Sequence, residues 1–163
     1  MNAPAPAAAG KYAVIKTNLG DIVIEFHPED APNTVDNFVK LAKQGYYDNL
    51  SFHRIIPGFM LQGGCPKGDG TGGPGYQIKA EFNGRKHVAG TASMARSSDP
   101  DSAGSQFFIC FDAAPHLDGQ YTAFAQVVQG MDVVQKIEPL GSGSGKPKQK
   151  VAMEKVTIVD KLP

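Results

Sequence analysis

The spacing of apolar and polar side chains along this chain predicts short strands almost throughout and helices in two places. Residues 12–17 (YAVIKT) and 21–27 (DIVIEFH) are β-branched runs joined by Asn18-Leu19-Gly20, which predicts a hairpin whose tight turn holds Gly20 at positive φ. After Pro32, a good first helical residue, Val35, Phe38, Val39 and Ala42 recur at helical spacing. Asp36 sits early, Lys40 and Lys43 late, and Gly45 fits the position just past the end. A shorter helix is expected after Gly130, with Val133, Val134 and Ile137 on one face and Pro139 stopping it. Further strands are expected at 51–56, 59–62, 91–96, 106–111, 122–128 and 155–160. Eight short strands and two helices predict an all-β fold, a closed barrel or a sandwich with helical caps, because closure removes exposed strand edges.

Composition sharpens this picture. A chain of 163 residues has the size of one domain and can bury a core without disulfides or a metal. The opening MNAPAPAAAG lacks both the basic and the apolar stretch of a signal peptide and buries too little to offset its ordering entropy. Residues 1–10 are therefore expected to be a flexible tail and 11–163 a single domain. No apolar run approaches the ~18 residues of a membrane-spanning helix, and sixteen basic residues balance sixteen acidic ones. Neither a membrane nor nucleic acid is an expected partner. Nineteen glycines and twelve prolines imply many turns, and nothing points beyond a monomer. Cys65 and Cys110 lie far apart, match no metal-ligand spacing and suggest a reducing compartment.

Two glycine-rich segments imitate phosphate loops. Residues 68–75 (GDGTGGPG) contain G-x-G-x-x-G, but Pro74 follows and no helix opens there. Residues 141–145 (GSGSG) precede Lys146-Pro147, where a phosphate loop needs Lys followed by Ser or Thr. A flexible surface loop is expected there, with Lys146, Lys148 and Lys150 solvated.

The chemistry is concentrated in residues 52–64 (FHRIIPGFMLQGG) and 104–110 (GSQFFIC). Strand alternation puts Phe52, Arg54 and Ile56 on one face, Met60 and Gln62 on one face of the next strand, and Gln106, Phe108 and Cys110 opposite Phe107 and Ile109. One face can fill the core and leave the other as an apolar pocket furnished with a few polar groups, one of them a permanently charged planar fork. The pattern alone leaves open whether Arg54 is functional or structural.

At these two stretches the sequence resembles the cyclophilin family of peptidyl-prolyl isomerases. Thr71-Gly72-Gly73, Ser93-Met94-Ala95, Leu117-Asp118-Gly119 and the closing KVTIVD add to the resemblance, which runs over residues 12–161. The NLGDIVIE opening is most similar to the short bacterial cytoplasmic members, so a cytoplasmic location is expected. The resemblance implies an eight-stranded antiparallel barrel closed by two helices. It also implies cis-trans isomerisation of X-Pro bonds in peptides and in unfolded or flexible protein segments, assisting folding without a metal or cofactor. Carried over, Arg54 is the catalytic arginine and Gln62 orients it; Phe59, Met60, Phe108 and Leu117 form the proline pocket; Gln106 and the Ala95-Arg96 backbone grip the peptide. The chain departs from the family at the rim, where His116 stands for a tryptophan, Tyr121 for a histidine and Arg96 for an asparagine. These departures bear on side-chain preference and imply weakened binding of cyclosporin, a cyclic peptide that occupies the proline pocket. His116 reads as an exposed loop residue and His53 as a satisfied structural one.

Two other classes compete. A module that binds proline-containing segments with little turnover would share the pocket but would not require Arg54 and Gln62. A cysteine hydrolase would need an activated Cys110, yet that residue sits mid-strand with no basic neighbour to lower its pKa.

Overall fold

The computed structural model describes residues 10–163, so nine of the ten residues of the expected tail lie outside it. The hairpin forms as β1 (Tyr12–Thr17) and β2 (Gly20–Phe26), with Thr17 paired to Gly20. Thr17 Oγ1 donates to Gly20 O at 2.6 Å and accepts from Leu19 N at 3.0 Å, and Gly20 has φ +134°. Helix α1 (Pro32–Lys43) starts on Pro32, carries Lys40 and Lys43 in its last turn and is followed by Gly45 at φ +75°.

The start of α1 depends on a residue far away in sequence. Ala31 makes no side-chain cap, and Asp36 lies beyond the first turn. Glu81 fills that role: Oε1 accepts from Thr34 N and Oγ1, both at 2.7 Å, and Oε2 accepts from Asn33 N at 3.2 Å. Helix N-termini carry unpaired N–H groups and a partial positive charge, so a carboxylate is favoured there from any origin.

The remaining elements are β3 (Leu50–Ser51), β4 (Arg54–Ile56), β5 (Met60–Gly63), β6 (Thr91–Met94), β7 (Phe107–Cys110), β8 (Ala123–Gln129), α2 (Met131–Ile137) and β9 (Ala152–Val159). A 3₁₀ turn, Glu138–Leu140, ends α2 at Pro139. Among the described residues the fold is mainly β with two helices, as expected, but the nine strands form one curled antiparallel sheet in the order β3-β9-β1-β2-β8-β6-β7-β5-β4. The predicted strand 51–56 is split. Its first part pairs with β9 and its second with β5, so one stretch of chain supplies both ends of the sheet. Among the described residues no ladder joins β3 to β4, which replaces the expected closed eight-stranded barrel with an open curled sheet. The cause is Phe52. It turns inward, fully buried and edge-on to Phe107, so the alternation that should have put it beside Arg54 is broken at the Phe52-His53 step. Register shifts at Lys16/Thr17, Val23/Ile24 and Ala92/Ser93 add twist where the sheet curls.

The main core lies between α1 and the concave face. Phe38 is its centre, with ring centroids 5.6 Å from Phe26, 4.8 Å from Tyr47, 5.3 Å from Phe107 and 5.5 Å from Phe124. Tyr47 is buried with its hydroxyl donating to Ser105 O at 2.9 Å, and burial pushes the phenol well above its ordinary pKa. No helix among the described residues is long and apolar enough to cross a membrane.

The GSGSG segment also departs from expectation. Ile55 N donates to Gly145 O at 2.8 Å and Ser142 N donates to Ile55 O at 3.1 Å, while Gly141 and Gly145 are buried. The segment lines the outer edge of β4 as a packed element, because the backbone groups on that edge need partners.

Replacing Glu81 with Ala is expected to lower stability by ~1–2 kcal/mol, the cost of losing a helix cap, with no change in catalytic rate. Urea denaturation read alongside an activity assay checks both; an unchanged midpoint would show that the distal cap contributes nothing.

Candidate active site

Strands β5 and β7 pair with Met60 opposite Cys110, Leu61 opposite Ile109, Gln62 opposite Phe108 and Gly63 opposite Phe107. Leu61, Phe107 and Ile109 face the main core, so the alternate residues Met60, Gln62, Phe108 and Cys110 must face the convex side. There Met60, Phe108 and Cys110 join Ala114 and Leu117 in a second apolar cluster, edged by Ile56, Phe59, Ala95 and Tyr121. Every residue assigned to the proline pocket is in this cluster or on its edge.

The polar residues of the site form a directed chain beside the cluster. Arg54 stands opposite Gln62 in the β4–β5 ladder, and Arg54 Nη1 donates to Gln62 Oε1 at 3.3 Å. Gln62 Nε2 donates to Gln106 Oε1 at 3.0 Å, and Gln106 Nε2 donates to the carbonyls of Gly70 at 2.9 Å and Gly72 at 3.0 Å. Guanidinium has only donors, so Gln62 must turn its oxygen to Arg54 and its nitrogen to Gln106, and Gln106 must do the same in turn. Among the described residues Arg54 makes no ion pair, and its exposed guanidinium keeps its other N–H groups free.

Behind the cluster lies a residue that the sequence patterns did not single out. His87 is 1% exposed, and its ring stacks on Phe108 with centroids 6.1 Å apart. Asp118 Oδ1 accepts from His87 N at 2.6 Å and is 3.0 Å from Nδ1, while Nε2 lies 2.9 Å from Ser93 Oγ. A carboxylate only accepts, so Nδ1 carries the proton and Ser93 donates to Nε2. Ser93 is fully buried, so this is a brace and not a nucleophilic triad. No spacing rule finds it: Asp118 is 31 positions from His87 and only the fold brings them together. The backbone N–H of His87 holds the Asp118 carboxyl below its usual range, and burial holds His87 below its ordinary value despite the neighbouring carboxylate.

The family described as cyclophilin type peptidyl-prolyl cis-trans isomerase/CLD matches residues 12–158. A peptidyl-prolyl cis-trans isomerase of Synechococcus elongatus is 58% identical over 114 residues, covering 70% of this chain and 78% of that protein. One from Helicobacter pylori is 53% identical over 131 residues, covering 78% and 80%. The chain belongs to the cyclophilin-type peptidyl-prolyl cis-trans isomerases. Its fold is that of a Cryptosporidium parvum cyclophilin crystallised in the presence of the dipeptide Ala-Pro, with TM-score 0.88, 34% identity, and coverage of 92% of this chain and 99% of that one.

In this cyclophilin the three residues expected at the rim lie around the apolar cluster in two places. His116 is exposed on the 3₁₀ turn Pro115–Leu117, its ring 5.7 Å from that of Phe59. Tyr121 meets Phe108 edge-on at 5.7 Å and carries the Arg96 guanidinium 4.6 Å above its ring. Arg96 Nε and Nη2 donate to Gln120 O at 3.0 and 2.8 Å, and Nη1 to Ser97 O at 2.9 Å, so the Arg96 side chain ties its own loop to the one holding Gln120. Ala95 N donates to Gln106 O at 3.0 Å and is already engaged.

A surface depression of about 810 Å³ adjoins this site through Gln62, Gln106, Ala95 and Arg96 and runs along the 70–77 loop without being lined by Met60, Phe108 or Leu117. That loop is ordered internally. Thr71 N and Oγ1 donate to Asp69 Oδ1 at 2.9 and 2.6 Å, and Gly72 N donates to Cys65 Sγ at 3.2 Å. Burial raises the Cys65 thiol pKa, but the surrounding N–H groups outweigh it and the net shift is downward. Cys110 is pushed up to about 12 by burial, which disfavours the cysteine hydrolase reading. His53 is not the satisfied residue expected: its buried Nδ1 has no partner among the described residues, and burial together with the Arg54 charge lowers its pKa. Among the described residues no cluster of His, Cys, Asp and Glu is placed to hold a metal.

His27, His53 and His87 all lie below the ordinary histidine value when folded. The unfolded chain takes up these protons near pH ~6.5 and the folded protein only at lower pH, so stability is full above that value and declines as pH falls through it. The urea midpoint should drop between pH 6.5 and 5, and the His87 ring should titrate below 6.5 by NMR. A midpoint that rises on acidification contradicts this.

Proposed function

We propose that this enzyme isomerises X-Pro bonds by directing the free donors of Arg54 at the proline nitrogen while the apolar cluster holds the ring. The isomerase activity itself follows from family membership. The reading of its residues rests on one observation: Arg54, with one hydrogen bond of 3.3 Å and otherwise free donors, stands beside an apolar cluster on the convex face.

An X-Pro bond resists rotation because resonance gives its C–N bond double-bond character, with a barrier of ~18–20 kcal/mol. At the twisted midpoint the resonance is lost and the nitrogen recovers a lone pair. A donor aimed at that lone pair stabilises the transition state more than either planar state. A hydrogen bond to a charged group contributes ~1.5–3 kcal/mol net, about one to two powers of ten in rate. Phe59, Met60, Phe108 and Leu117 clamp the ring in a poorly hydrated site, where each dipole acts more strongly. Gln62 and Gln106 hold the guanidinium in its plane, and Gln106 with the groups at 95–96 grips the peptide that continues along the adjoining groove. The proposed substrates are proline-containing peptides and flexible or folding polypeptides, and a relative crystallised with Ala-Pro supports that class. A monomer in the cytoplasm completes the proposal; the free thiols of Cys65 and Cys110 support a reducing compartment.

Arg54→Ala should cut kcat/KM at least tenfold with little change in melting temperature, and Arg54→Lys should not restore it fully because a point charge lacks the planar fork. A protease-coupled assay on an Ala-Pro peptide decides the matter. Retention of more than about half the wild-type rate excludes a contribution of ~1.4 kcal/mol and removes Arg54 from its role. Since guanidinium stays charged and no proton is transferred, kcat/KM should be nearly flat from about pH 6.5 to 9; a bell-shaped profile would favour acid-base chemistry.

His116 offers a smaller ring than tryptophan against the apolar body of cyclosporin. Inhibition is expected to be weak in the wild type and about tenfold or more tighter in His116→Trp, as one added aromatic contact implies. Equal inhibition constants would show that His116 does not form the rim.

A further inference from the structure

We infer that the Gly141–Gly145 segment is a positioning element for Arg54 and that Gly145 is its working residue. The inference rests on the assignment of Arg54 as the catalytic donor. Gln62 restrains only the tip of that side chain, through one hydrogen bond of 3.3 Å, at the long end of the useful range. An exposed arginine on a three-residue strand at the end of the sheet would otherwise keep much of its rotamer freedom. The stem is restrained from the other side. A Cβ built on Gly145 would lie 2.9 Å from Arg54 Cγ and 3.6 Å from Nε, so the bare Cα surface of Gly145 is the wall against which the stem lies.

The wall is itself held. Gly145 O accepts from Ile55 N, the residue next to Arg54, and Ser142 N donates to Ile55 O. At the other end, a Cβ on Gly141 would come within 2.3 Å of Ile55 O, so the segment must approach as glycine at both buried positions. Glu138 Oε2 accepts from Gly58 N at 2.6 Å and ties the preceding turn to the Pro57-Gly58 bend that follows β4. Gly145 has φ +89°, which L side chains rarely adopt. Gly143, at the tip, has nothing within 4 Å of a built Cβ and an ordinary φ. Within one five-residue segment, two glycines are required by contact and the exposed one between them is not.

The test is a double-mutant cycle read on kcat, KM and melting temperature. Gly145→Ala pushes the stem aside, and kcat should fall about tenfold while KM for an Ala-Pro peptide changes less than about threefold. Gly143→Ala should match the wild type. In the Arg54→Ala background, Gly145→Ala should cost no further rate and less melting temperature, because the Cγ it strikes is gone. If Gly145→Ala alone stays within about twofold of the wild type while Arg54→Ala is slow, the positioning role is overturned and the Arg54 assignment survives. An equal fractional loss in both backgrounds overturns it too, since the segment would then act without Arg54. If Arg54→Ala is itself fast, the underlying assignment fails. Should Gly145→Ala not fold, the Arg54 Nε–H order parameter in the wild-type protein decides: about 0.6 or more supports the wall and less overturns it.

Discussion

The constraint on which everything else depends is the two-residue period of β5 and β7. Leu61, Phe107 and Ile109 are committed to the core around Phe38, so their neighbours Met60, Gln62, Phe108 and Cys110 are forced to the convex face. Burying a large apolar side chain is worth ~1.5–3 kcal/mol, which makes slipping this register by one residue prohibitive. The convex row therefore needs a cover of its own. The chain supplies one with Ala114 and Leu117 around the 3₁₀ turn and with His87 stacked on Phe108. The apolar cluster is thus a second small core bordered by exposed Arg54 and by half-buried Phe59 and Tyr121.

Polar order in the site follows from the same geometry. Arg54 opposite Gln62, and Gln62 beside Gln106 at the start of the adjacent strand β7, form a line in which each amide has one permitted orientation, because the line starts at a group that only donates and ends at carbonyls that only accept. Buried beneath it, the Asp118–His87–Ser93 brace is ordered by the complementary logic, from a carboxylate that only accepts. Both networks meet Phe108, one through Gln62 opposite it in the ladder and the other through the His87 ring stacked on it. Partly satisfied networks in low dielectric are costly, so the buried His87–Ser93 end of the brace has strong reason to stay intact.

How much was legible in the sequence varied with the range of the determining contact. The hairpin turn at Gly20 and both ends of α1 were read to the residue, since Pro32, the late lysines and Gly45 act within a turn or two of their own positions. The carboxylate at the start of α1 was missed because Asp36 is near in sequence while Glu81 is near in space. The strand 51–56 was read as continuous because its alternation is unbroken on paper; only the demand of two different partner strands bends it at Phe52. The Gly-Ser loop looked like a linker because composition reports freedom in isolation, whereas the open edge of β4 supplies the partners that order it.

By itself the sequence determined the two-faced character of the strands, the positions of both helices, the shared face of Phe108 and Cys110 and, through long contiguous motifs, the family. Those depend on periods and neighbours that survive in one dimension. Only the tertiary structure decided that the sheet curls open with its ends on either side of Phe52-His53, that His87 and Asp118 meet under the pocket, and that Gly145 backs Arg54. Each of these is a contact between segments separated by tens of residues, and its partner is selected by which backbone and polar groups the packed sheet leaves unpaired, a quantity that does not exist until the chain has folded.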